Sequence, residues 1–166
     1  MKPTYLKLNL ILLILFTMNS LYSISANFYS IKNGKWSDGN NWSISSGGTS
    51  CSCIPNTSDN IYIESNINVN FNMINSNGIS GILHIKNGFT LDATTFNVEL
   101  KSGSNVFVNG ILNTHDLTLY NGTNLTIGTG GLVKVNGDFK NMNNSTDIII
   151  NGSMEVYGSF YNMTHG

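Results

Sequence analysis

Beyond Leu83 the chain is a succession of short bursts in which apolar and other residues alternate, each closed by a glycine-bearing turn. Leu83–Leu91 reads LHIKNGFTL and leads to Val98–Gly103, VELKSG. The theme returns in Val106–Leu112 (VFVNGIL) with Leu117–Gly122 (LTLYNG), and in Val133–Phe139 (VKVNGDF) with Ile148–Gly152 (IIING). A further copy opens at Met154–Phe160 (MEVYGSF), and Leu125–Gly131 (LTIGTGG) forms an extra half-unit. Alternation with a period of two marks a strand with one buried face. The Asn-Gly steps tolerate positive φ and allow a sharp corner after each strand. Strands this short cannot bury their faces alone. Copies that start about 21–27 residues apart bury them by stacking coil on coil.

The fold class this pattern predicts is all-β, a right-handed parallel β-helix or solenoid. The alternative is an antiparallel β-sandwich or meander, because Asn-Gly is also the strongest two-residue hairpin signal. Two features favour the solenoid. The copies resemble each other at a distance of two strands rather than one, and the links between half-units, such as 113–115 and 140–146, vary in length. Stacked in register, Val108, Val135 and Val156 form one expected inward column. Leu112, Phe139 and Phe160 form a second. Asp116 and Asp147, each preceding a strand, are expected to match.

Ahead of the repeats lies a different kind of segment. Lys2 and Lys7 precede an apolar run from Leu8 to Phe16, and small and polar residues lead to Ala26. That order is the one found in a secretory signal peptide, and the run is too short to cross a bilayer of about 30 Å as a helix. The expected organisation is a signal peptide at 1–26, an N-terminal cap with first strands at 27–80, and solenoid repeats at 81–166. The last repeat stops without a polar cap, as a chain truncated at its C-terminus would. The expected location is secreted, extracellular or on the outer cell surface, with no transmembrane segment once the signal is removed.

Charge is sparse, at 10% of residues, and the net value of -1 becomes -3 without Lys2 and Lys7. All eight basic residues are lysine. No basic face exists to neutralise phosphates, which argues against nucleic-acid partners, and the lack of arginine removes the usual two-pronged clamp for carboxylates. Asn, Ser, Thr and Gly carry the polarity instead.

Residues 27–80 read differently from the repeats. Gly34–Asp38 (GKWSD) is followed by Asn41–Ser43 (NWS), Cys51–Pro55 (CSCIP), Asn56–Ile63 (NTSDNIYI) and Ile67–Phe71 (INVNF). Two tryptophans bracketing an aspartate, then Pro and Asp, then glycine-spaced short strands, resemble the opening module of many bacterial cell-surface proteins exported by the type IX secretion system. The order is also similar to the extracellular eight-glycine β-solenoid domain of some animal proteins. The resemblance covers about residues 28–110. It implies an extracellular, capped β-solenoid used in adhesion or polysaccharide contact, with no catalytic residues. Type IX substrates carry a C-terminal sorting domain, and none is seen here.

The candidate residues follow. Trp36 and Trp42 serve either as the apolar core of the cap or as an aromatic platform for sugar rings. Cys51 and Cys53 allow a local disulfide, free or intermolecular thiols, or a metal site lacking its further ligands. The acids Asp38, Asp59, Glu64, Asp92, Glu99, Asp116, Asp138, Asp147 and Glu155 are scattered singly. A glycoside hydrolase needs two carboxylates held close together. His84 lies on a strand, whereas His115 and His165 each follow a threonine in a loop. No catalytic residue, metal site or cofactor is expected. The function expected is a structural or adhesive surface module that contacts polysaccharide. The alternative is the non-catalytic N-terminal part of a larger polysaccharide-active enzyme.

Overall fold

The structure, a computed structural model, describes residues 25–142 and 147–163. The signal-peptide segment lies outside these residues except for Ser25 and Ala26, and His165 lies outside them too. The first turn holds β1 (Asn27–Ser30) and β2 (Gly34–Lys35), with β3 (Trp42–Ser43) following a 3-10 turn at Gly39–Asn41. The second holds β4 (Asn60–Ile63) and β5 (Ile67–Asn68). Each later turn supplies three strands. These are β6 (Ile82–Ile85), β7 (Thr90–Ala93) and β8 (Val98–Leu100), then β9 (Asn105–Val108), β10 (Ile111–Thr114) and β11 (Leu117–Leu119). After them come β12 (Asn124–Ile127), β13 (Leu132–Val135) and β14 (Phe139–Asn141), then β15 (Asp147–Ile150), β16 (Ser153–Val156) and β17 (Phe160–Asn162).

The strands sort into three sheets that form the sides of one coil. The first runs β15-β12-β9-β6-β4-β1-β3, the second β16-β13-β10-β7-β5-β2 and the third β17-β14-β11-β8. Every pairing is parallel except β1 with β3. The fold is therefore a parallel β-solenoid, and the antiparallel sandwich or meander is excluded. The first two sheets pass through residue 80 without a break, β4 pairing with β6 and β5 with β7. Residues 27–80 and the repeats thus share one core.

Alternation does the packing. Inward residues of the first sheet include the column Ile61, Leu83, Val106 and Leu125, all fully buried. The second sheet contributes Ile67, Leu91, Leu112 and Val133, and the third Val98, Leu117 and Phe139. Polar side chains bind the corners from one turn to the next. Asn33 Oδ1 accepts from the Asn66 backbone N–H at 2.8 Å, and Asn66 Oδ1 accepts from that of Thr90 at 2.9 Å. At another corner Asp116 accepts from the Asp138 N–H at 2.9 Å, and Asp138 from that of Ser159 at 3.0 Å. Such bonds satisfy backbone donors that the bend takes out of the sheet.

Each turn has three strands, not two, and this corrects the expected columns. Val135 stacks between Thr114 and Val156 in the second sheet, whereas Val108 lies in the first sheet between Ile85 and Ile127. Phe139 and Phe160 do stack, with ring centroids 4.8 Å apart, but Leu112 belongs to another sheet. The extra half-unit around Leu125 is an ordinary member of the first sheet, β12. Asp116 is matched by Asp138; Asp147 begins a strand of a different sheet.

The glycines also divide. Gly88 takes a φ of 84°, as an Asn-Gly corner was expected to. Gly110, Gly131 and Gly152 do not. There the chain passes so close to the turn beneath that a Cβ would overlap backbone carbonyl oxygens: that of Val108 for Gly131, and that of Gly131 for Gly152.

Candidate functional site

Register on the outer face of the first sheet aligns residues far apart in sequence. Tyr29 pairs with Tyr62, Tyr62 with His84, and His84 with Phe107. Because strands in a sheet lie about 4.8 Å apart, four rings in consecutive turns form a continuous ladder. Tyr29 and Tyr62 stack at 4.7 Å with planes 12° apart. His84 lies 6.2 Å from Tyr62 and 5.8 Å from Phe107, its plane tilted to both. The next rung after Phe107 is Thr126, so the row of rings ends there and Phe107 remains 40% exposed.

A polar column runs beside it. Asn27, Asn60, Asn105 and Asn124 occupy the preceding outward position, interrupted by Ile82. Asn60 donates to Asn27 Oδ1 at 2.9 Å, and Asn124 donates to Asn105 Oδ1 at 2.8 Å. These bonds fix the amides in orientation and leave part of their capacity for a ligand. The face therefore joins an apolar ridge to a row of neutral donors and acceptors.

His84 belongs to the ridge as an uncharged ring. The Asn109 side-chain amide donates to its Nε2 at 2.9 Å, which requires that nitrogen to be unprotonated. Burial lowers the His84 pKa, the Lys86 ammonium lowers it further, and Glu64 opposes them. Lys86 and Glu64 are paired at the adjoining corner, where Ser46 Oγ also donates to Glu64 at 2.6 Å. Burial works to raise the Glu64 pKa. The hydrogen bonds from Lys86 and Ser46, with the charge of Lys86, outweigh it, and the pKa lies below the ordinary value. Glu99 is similar: burial is outweighed by Lys101, the Asn75 N–H and Tyr120.

Of the residues singled out from sequence, His84 lies in the ladder and Glu64 beside it, whereas the tryptophans and cysteines lie elsewhere. Trp36 and Trp42 are 1% and 0% exposed, packed edge to face at 5.0 Å, with Trp42 Nε1 donating to the Trp36 carbonyl at 2.8 Å. Both rings belong to the core, and Trp36 also borders a cleft with Ile54, Pro55 and Phe71. Neither ring is an exposed platform. Cys51 and Cys53 are joined in a disulfide, in a loop whose Cys51 N–H donates to the Trp42 carbonyl at 2.9 Å. No protein-family model matches the chain, and no curated protein or solved structure was found similar to it.

The acids hold backbone. Asp38 accepts from the Asn40 N–H at 3.0 Å, and Asp92 from that of Thr94 at 3.1 Å. Asp59 accepts from the Ala26 and Asn56 N–H groups at 3.1 and 2.8 Å. His115 Nδ1 lies 3.1 Å from Asp116. Among the described residues, no three His, Cys, Asp or Glu side chains form a group able to hold a metal ion, and no helix is long and apolar enough to cross a membrane. Sequence reasoning missed the aromatic ladder. Its members are single rings in unrelated contexts, and only the strand register brings them together.

Proposed function

We propose that the protein is a secreted or outer-surface structural and adhesive module that contacts neutral polysaccharide without performing chemistry on it. The observation that carries this reading is the outer face of the first sheet, where Tyr29, Tyr62, His84 and Phe107 form a ridge beside an asparagine column. A sugar chain has apolar C–H faces and many neutral hydroxyls. A ridge of rings flanked by amides suits both, and a row repeated at each turn suits a polymer. The low charge density supports a neutral ligand over an acidic one. The use of Asp38, Asp59, Asp92, Asp116 and Asp138 to bind backbone N–H groups supports a scaffold role for the carboxylates. Export is supported by the leader-like first 26 residues and by the resemblance to the opening modules of type IX-exported surface proteins.

Retention on insoluble neutral polysaccharides such as chitin and cellulose tests the reading. Phe107→Ala and Tyr62→Ala should each weaken retention about three- to ten-fold, the scale of one aromatic contact, with thermal unfolding little changed. Retention unaffected by both substitutions would remove the ladder from the proposal.

A further inference from the structure

The third sheet begins only at β8. In the turn before it, that side of the coil is represented by two single bridging residues, Met73 opposite Val98 and Ile79 opposite Leu100. The loop after the disulfide folds over this incomplete side and leaves a cleft of about 350 Å³. Its apolar lining is Trp36, Ile54, Pro55 and Phe71, and its polar lining includes Asn56, Ser76 and Asn77. No lining residue is charged.

The walls are fastened. Asp59 accepts from the Asn56 N–H at 2.8 Å, and the Thr57 carbonyl accepts from the Ser80 N–H at 2.9 Å. Phe71 packs edge-on against the buried Trp36 at 6.4 Å, which fixes its ring. Ile54, also in the lining, is 49% exposed although it stands on a loop tied back to the core. The space is at the lower end of small-ligand pockets, which span about 300–1,000 Å³.

We infer that this cleft is a binding site for one end of a neutral oligosaccharide, a pyranose unit set against Phe71 and Ile54 with its hydroxyls met by Asn56, Ser76 and Asn77. An aromatic and an aliphatic surface receive the C–H face of the ring, while amides and hydroxyls replace the water bound to its hydroxyls. The absence of charge in the lining excludes strong selection for uronates, sulfated sugars or phosphorylated ligands, each of which would bury a charge without a partner. The choice of a sugar rests on the glycan-contact reading above, but the site is separate from the aromatic ladder.

The test uses the full chain, labelled for amide NMR and titrated to millimolar concentrations with neutral gluco-, manno- and xylo-oligosaccharides and with oligouronates. Saturable shifts at Ile54, Thr57, Phe71 and Asn77 with a neutral sugar, and none with uronates, are expected. Ile54→Asp places a charge in the cleft at an exposed position and should weaken the response at least about ten-fold with the unfolding transition unchanged. Phe107→Ala should leave it intact. Shifts confined to the first sheet, an equal response to uronates, or undiminished binding by Ile54→Asp would each overturn the inference. No response to soluble sugars while the polymer is still retained would overturn it and leave the ladder standing.

Discussion

Two glycines next to each other, Gly130 and Gly131, are required for different reasons. Gly130 has a φ of 80° with open space where a Cβ would go. Its replacement by alanine carries only the left-handed backbone penalty, about 1–2 kcal/mol. At Gly131 the obstacle is the carbonyl oxygen of Val108 in the turn beneath, which cannot move without breaking the sheet. Gly131→Ala should cost at least about 3 kcal/mol, and chemical denaturation of the two variants would show the order. His84 gives a second prediction at this scale. Its folded pKa is lowered, so the folded state holds fewer protons, and its contribution is lost as pH falls from about 6.5, the unfolded value, through the folded one. Glu64 and Glu99 also have lowered folded values, and their contribution is lost below about 4.3. The denaturation midpoint should therefore fall in two steps on acidification, and His84→Phe should remove the first. A midpoint constant between about pH 7 and pH 5 would contradict the histidine assignment.

The strand is the scale at which sequence was both most and least informative. Every third-turn strand, from β6 to β8, shows the alternation by which strands are recognised, and its inward residues are the buried ones. Phasing was the failure. The link between β9 and β10 is only Asn109 and Gly110, so VFVNGIL reads as one strand with a turn although Val108 and Leu112 face the core from different sheets. Alternation is the same on all three sides of the coil and carries no label for the side. For the same reason Val108 and Val135 looked equivalent. The aromatic ladder was invisible because its rings stand in unlike sequence contexts, and its Tyr29–Tyr62 rung also spans the loop between β3 and β4 that carries the disulfide. The corrected column still makes a prediction. Val135 is fully buried between Thr114 and Val156, so Val135→Ala should cost about 1–3 kcal/mol in lost transfer and cavity energy. Lys134 points outward with its Nζ 5.0 Å from the Tyr157 ring, and Lys134→Ala should cost less than about 1 kcal/mol. Equal losses in a urea titration would mean that the strand is turned over.

Taken whole, the molecule has two unlike ends. At one, β3 lies antiparallel on β1, so the first sheet presents no parallel edge there. At the other, among the described residues, β15, β16 and β17 pair on one side only, and Phe160 is 62% exposed although its column is buried one turn earlier. In a stack of repeats each unit is stabilised by its neighbours, so amide exchange should be slowest in β6–β11 and fastest in β15–β17. Uniform protection along the axis would contradict that gradient. The antiparallel strand at the front has a consequence for how such a chain comes into being. Each turn needs only the turn before it as a template, reached across about twenty residues, so contacts are never far in time from the residues that make them. A chain synthesised N-terminus first finishes the turn that carries β1 and β3 before the remainder has emerged. From then on every new turn adds to a surface already set, so the turns are laid down in the order in which they emerge.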